Sequence, residues 1–169
     1  DANIYNALSD NDCRKNCVLP SAFPNFYTYS NNGTDTSWVS STMPKYTSLK
    51  WGASSAIGFD NHTNESNVSD NIYLRSSAVL LMTAEAYAHL GKDAEAKALL
   101  DKLLEARTLP GKPKMTCANT MSGSALDMVK LQWRIEMWGE GDWAFFNQKR
   151  WKTQIPRGEN HWSNSKIPS

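Results

Sequence analysis

Apolar positions follow two different patterns along this chain, and the change comes near residue 70. From there on they recur at helical spacing. Ile72, Val79, Leu80, Met82, Ala86, Tyr87 and Leu90 follow Asp70, a residue type that caps helix starts, so the pattern predicts a helix from Asp70 to His89 or Leu90, buried on more than one side. Gly91 supplies the left-handed residue that ends such a helix. Asp93 then caps a second one, Ala94 to Arg107, which stops before Leu109-Pro110-Gly111. A third starts at Ser124, with Asp127 three residues on as in a capping box. Leu126, Val129, Trp133, Met137 and Trp138 give it a broad apolar face through about Trp138. Gly139 and Gly141 break it, and a fourth helix runs from Asp142 to about Trp151 with Trp143, Phe145 and Phe146.

Before residue 70 that spacing is missing. Residues 1–69 hold 10 of the 35 charged residues and are crowded with Asn, Ser, Thr, Gly and Pro, as in Tyr29-Ser30-Asn31-Asn32-Gly33-Thr34. That is loop and turn chemistry. It predicts long loops with a few short strands, the best strand candidate being Lys45 to Trp51, where Tyr, Thr, Leu and Trp roughly alternate with polar residues. The chain therefore divides into an irregular part, 1–69, a helical part, 70–155, and a polar tail, 156–169, taken together as one structural unit.

Composition removes several function classes. The 169 residues carry 18 basic and 17 acidic side chains, so no net positive field draws in phosphate backbones or anionic lipid, and nucleic acid is not an expected partner. Leu, Ile, Val and Phe make up under a fifth of the chain, and the core must lean on alanine and on aromatics, which reach 11%. No apolar run approaches the roughly 20 residues that a membrane-spanning helix needs. Asp1-Ala2-Asn3 lacks a basic and apolar leader, so the chain reads as one from which any export signal has been removed. Cys13, Cys17 and Cys117 allow at most one disulfide. The Cys13 to Cys17 spacing closes a small loop or starts a metal site, but no second Cys pair follows and His62, His89 and His161 are scattered, so no metal and no other cofactor is expected. The sequons at Asn32, Asn61, Asn64 and Asn67 are what an Asn-, Ser- and Thr-rich stretch produces by chance.

Leu80, Ala84, Tyr87, Gly91, Ala96 and Leu100 fall where a tetratricopeptide unit places its large, small, aromatic, turn, small and large residues. Small Ala84 and Ala96 let two helices approach, and a single unit must stack on further helices to bury its face. The fold class expected is mainly α, with tetratricopeptide-like helical hairpins of an α/α superhelix beside a loop-rich N-terminal half.

The blocks Asn71-Ile-Tyr-Leu-Arg-Ser-Ser-Ala-Val-Leu-Leu-Met-Thr-Ala-Glu-Ala-Tyr87, then Gly91, Ala94 and Ala96, then Trp133-Arg-Ile-Glu-Met-Trp-Gly-Glu-Gly-Asp-Trp143 and Lys149-Arg-Trp151 resemble the C-terminal signature of the SusD/RagB family over roughly residues 43 to 152. The resemblance implies a nutrient-binding outer-membrane lipoprotein at the cell surface of Bacteroidetes. Such a protein captures an oligosaccharide, or as second choice a peptide, and hands it to a TonB-dependent, SusC-like transporter. Contact with the membrane would come only through an N-terminal lipid that lies outside this chain. Rival readings are a helical-repeat adaptor for a protein partner and a helical glycoside hydrolase.

Two sets of residues are candidates for chemistry. Glu136 and Glu140, with Asp142 nearby, are carboxylates of the kind a glycosidase pairs as acid and base. Ion pairs with Arg134, Lys149 and Arg150 are the favoured reading, with Arg75 and Glu85 in the same scaffold network. No Ser-His-Asp or Cys-His motif and no glycine-rich phosphate loop appears, and no catalysis is expected. Of the aromatics, Trp133, Trp138, Trp143, Phe146 and Trp151 stand at helical spacing and are assigned to core packing. Tyr27, Tyr29, Trp38 and Trp51 stand in the loop-rich half and are the candidate ligand platforms, with Asn31, Asn32 or Asp35 bonding hydroxyls; the alternative for each is a plug over the helices.

Overall fold

The computed structural model describes residues 2–31, 34–43, 45–50 and 74–153, and of 23–43 the backbone alone. In chain order the elements are helix α1 (Ala2–Ala7), a 3-10 turn (Cys13–Cys17), strands β1 (Phe23–Asn31) and β2 (Thr34–Met43), and helices α2 (Ser76–His89), α3 (Asp93–Arg107), α4 (Cys117–Thr120), α5 (Ala125–Glu136) and α6 (Trp143–Trp151). The protein is mainly helical, as its hydrophobic spacing predicts.

Local chemistry sets the helix ends. Gly91 takes φ +70°, and beyond α2 the Gly91 and Lys92 N–H groups donate to the Ala88 and Tyr87 carbonyls, which turns the chain sharply into α3. At α5 the box forms as expected: the Ser124 hydroxyl accepts from the Asp127 N–H at 3.1 Å, and the Asp127 carboxylate accepts from the Ser124 N–H at 3.2 Å. Two starts differ from expectation. Asp70 lies outside the described residues, and α2 begins at Ser76 after an extended Arg75. Asp93 is inside the first turn of α3 rather than its cap, where with Glu95 it meets the positive end of the helix dipole.

α2 and α3 form the antiparallel hairpin, and α5 packs across both. Ala84, Ala96 and Leu100 are fully buried, so the small residues of the repeat do sit where the helices close. The core joins Ala78 and Leu81 of α2, Leu100, Leu103 and Leu104 of α3, Met115 and Cys117 of the connection, and Met128, Val129 and Trp133 of α5. Truncating a fully enclosed leucine such as Leu81 to alanine costs about 2 to 5 kcal/mol at sites of this kind. On the other side of α5, Ile4 and Leu8 pack with Ile135 and the part-buried Trp138, which ties α1 to the helices.

α2 is not buried on more than one side among the described residues: Val79 and Met82 are 49% and 40% exposed, and Leu90, just past its end, 70%. The polar-rich half also differs. Instead of short strands in long loops, β1 and β2 pair antiparallel from Phe23↔Met43 to Asn31↔Thr34, with a bulge at Asn25/Phe26. The pair Asn32-Gly33, outside the described residues, stands between the strands and has the composition that two-residue hairpin turns favour. Lys45–Lys50 is no strand. Tyr46 has φ +69°, and the segment instead bonds residues 17–19 through the bridge Val18↔Ser48.

Candidate functional site

Three of the four candidate platforms belong to the hairpin. The register sets Tyr27 opposite Trp38 and Tyr29 opposite Thr36. The two-residue period of a strand puts positions 27, 29 and 38 on one side of the ladder. They are thus strand positions brought together by pairing, not loop positions scattered over a surface. Trp51 lies outside the described residues.

The carboxylates form two centres. Glu136, at the end of α5, is 3% exposed and is held by guanidinium groups from three separate parts of the chain. Arg107 reaches Oε1 at 2.5 Å and Oε2 at 3.2 Å, Arg14 reaches Oε2 at 3.0 Å, and Arg75 lies 3.2 Å from Oε1. Burial alone would raise the Glu136 carboxyl; bonding to Arg107, with the charges of Arg14 and Arg75, outweighs it and brings the pKa down to about 2. Arg14 is itself fixed by Asp12, at 2.9 Å and 2.6 Å, and by Gln132 at 3.0 Å. Glu140 accepts from Lys50 Nζ at 2.5 Å and Arg75 Nε at 2.8 Å. Lys50 also donates to the Glu136 and Trp138 carbonyls, at 2.8 and 2.9 Å, so two cations satisfy the open end of α5.

Beside this centre is a cavity of about 270 Å³, with Ile4, Leu8, Ile135 and Trp138 on its apolar side. A glycosidase acid must keep its proton near neutral pH, in an environment that raises its pKa. Glu136 stands in the opposite environment.

The second centre is Glu85 of α2, also 3% exposed. Its Oε1 accepts from Trp151 Nε1 at 2.7 Å and Arg150 Nη1 at 2.5 Å, and its Oε2 from Trp133 Nε1 at 3.0 Å and Arg150 Nη2 at 2.9 Å. Burial raises this carboxyl, and the bonds from Arg150, Trp151 and Trp133 outweigh it, so its pKa falls below the ordinary value. α2, α5 and α6 are thereby pinned at one buried charge. An open cleft of about 470 Å³ lies above it, between α2 and α6.

The scaffold network of Glu136, Glu140, Glu85 and Arg75 is present, but as two centres rather than one, and with other partners. Among the described residues Arg134 and Lys149 pair with none of these carboxylates, and Arg150 serves Glu85. Asp12, Arg14, Lys50 and Arg107 escape a sequence reading because they meet α5 only through the fold. Of the aromatics assigned to packing, Trp133 is 2% exposed and Trp138, Trp143 and Trp151 are part-buried, whereas Phe146 is 61% exposed and is not core. All three cysteines are free thiols, so no Cys13–Cys17 loop is closed. Among the described residues no group of three or more His, Cys, Asp or Glu side chains is placed to hold a metal ion, and no helix is long and apolar enough to cross a membrane.

The sequence profile of the SusD family matches residues 15–166. No curated protein and no solved structure matches the chain.

Proposed function

The chain belongs to the SusD family, and from that premise we propose that it takes part in capturing an oligosaccharide at the cell surface for a TonB-dependent transporter, without catalysing a reaction. Proteins of this family are generally non-catalytic and bind glycans and other nutrients at the outer-membrane surface. The observation that carries the reading is the extent of the match, which runs from the 3-10 turn past the end of α6. The state of the carboxylates supports the absence of catalysis: Glu136 is ionised and enclosed by arginines, and Glu140 is shared between Lys50 and Arg75.

The ligand platform is the hairpin, at Tyr27, Tyr29 and Trp38, with Trp51 further along the chain as the fourth aromatic. A pyranose ring carries an apolar face of C–H groups. Laying it on an indole removes about 100 Å² of apolar surface from water, worth roughly 2.5 kcal/mol at 25 cal/mol/Å². Tyr27 and Trp38 are register partners in the ladder, so the two aromatic positions fall on the same side of it.

Titration calorimetry against a panel of neutral oligosaccharides tests this. The expected result is saturable binding that weakens at least tenfold in Trp38→Ala, with an unchanged unfolding temperature. Binding that is indifferent to Trp38→Ala removes the hairpin as the platform, and no binding across the panel removes capture of neutral glycans.

A further inference from the structure

Among the described residues the cleft between α2 and α6 is lined by α2, α5 and α6 alone. Its volume, about 470 Å³, lies within the range of roughly 300 to 1,000 Å³ over which small-molecule sites occur. Its walls are aromatic. Trp143 lies against Trp133 with ring centroids 5.3 Å apart, and Phe146 and Met82 line it while remaining 61% and 40% exposed. Its polar lining is unlike that of a helix-packing groove. Glu85 and Asn147 are 3% and 5% exposed, and Arg150 joins them by bonding both.

One polar group there is unused. Asn147 Oδ1 accepts from Arg150 Nη2 at 2.8 Å, while among the described residues its Nδ2 donates to no acceptor. An apolar helix lowered into the cleft would bury that amide unpaired, at the usual cost of an unsatisfied donor. A sugar ring fits the chemistry better, since it offers C–H faces to the rings and hydroxyl oxygens to the amide. The acceptor oxygens of Glu85 are already taken by Arg150 and two indole N–H groups, with the His89 ring of the cleft wall 3.5 Å from Oε1, so the cleft presents donors around a carboxylate already paired with Arg150 and suits an uncharged ligand.

We propose that this cleft is a second binding site, for a hexopyranose ring of a neutral oligosaccharide, with Trp143 and Phe146 as the platform and Asn147 Nδ2 as the donor that orients it. The proposal rests on the capture reading for the class of ligand and on the cleft's own chemistry for its place. Two sites on one chain would let a long glycan be held at two points, raising its residence through effective concentration.

The test is a titration of the isotope-labelled chain with neutral disaccharides of glucose, galactose and mannose, read at the indole N–H resonances. The expected result is a saturable shift at Trp143 and Trp133 that becomes about tenfold weaker in Phe146→Ala, a variant expected to fold because the ring is mostly in water. Shifts confined to Trp38 would overturn this site and leave capture standing. Resonances that stay still with every sugar overturn both, and Trp143 shifts that follow protein concentration rather than sugar mark contact between copies and overturn the site.

Discussion

Glu85 and Glu136 are equally buried, and both are kept ionised, but by unlike surroundings. Around Glu136 stand guanidinium groups from the N-terminal segment, the residue before α2 and the end of α3, each a charge that persists at any pH the fold survives. Around Glu85 stand one half-exposed guanidinium and two indole N–H groups, all from α5 and α6, with the His89 ring of its own helix 3.5 Å away. The first centre joins distant parts of the chain through charge; the second aligns neighbouring helices through hydrogen bonds. Equal burial therefore does not mean equal dependence on the carboxylate.

The largest expected effect tests that difference directly. Glu136→Ala leaves three guanidinium groups facing one another, and should cost about 3 to 5 kcal/mol, the range for breaking a buried pair on one side. Thermal unfolding reads this as a large fall in melting temperature or as failure to fold. A loss under about 1 kcal/mol would mean that water already screens the cluster.

Acid sharpens the comparison next. The folded Glu136 pKa of about 2 lies below the unfolded value of 4.5, so its contribution is complete above pH 4.5 and is lost as pH falls toward 2, by on the order of 3 kcal/mol. Glu85 is shifted in the same direction and adds to the loss. Denaturant melts across this window should show stability falling with pH, and the slope should flatten markedly in Glu136→Gln and less in Glu85→Gln.

The smallest effect is expected at neutral pH in Glu85→Gln. The amide keeps one oxygen acceptor and loses the charge facing Arg150, for about 1 to 3 kcal/mol. The Trp133 and Trp151 indole N–H resonances should move together, since both donate to this one side chain. Movement of only one would show that the indoles are held independently.

Those centres also show where a sequence stops being legible. Helix positions followed from local rules: Gly91 takes the left-handed conformation its place calls for, and Ser124 with Asp127 closes its box. The partners of Glu136 did not follow. Arg134 is two residues away in sequence, but residues two apart on a helix do not face each other, whereas Arg14 is 122 residues away and bonds at 3.0 Å. The hairpin was hidden for another reason. Its strands are written mostly in Ser, Thr, Asn and aromatics, so polarity looked like loop while Thr and Tyr were acting as strand formers. Tyr27, Tyr29 and Trp38 thus read as residues of a loop-rich half and stand in a ladder. The spacing of Phe146 predicts a core position, whereas Asn147 is the one buried residue of α6.

If the helical half is scaffold, its carboxylates hold charge and move no proton. The most direct measurement is the release of new reducing ends when the chain is incubated with the oligosaccharides it binds, compared with Glu136→Gln. No release by either protein is expected; release by the native chain that disappears in Glu136→Gln would contradict a scaffold role.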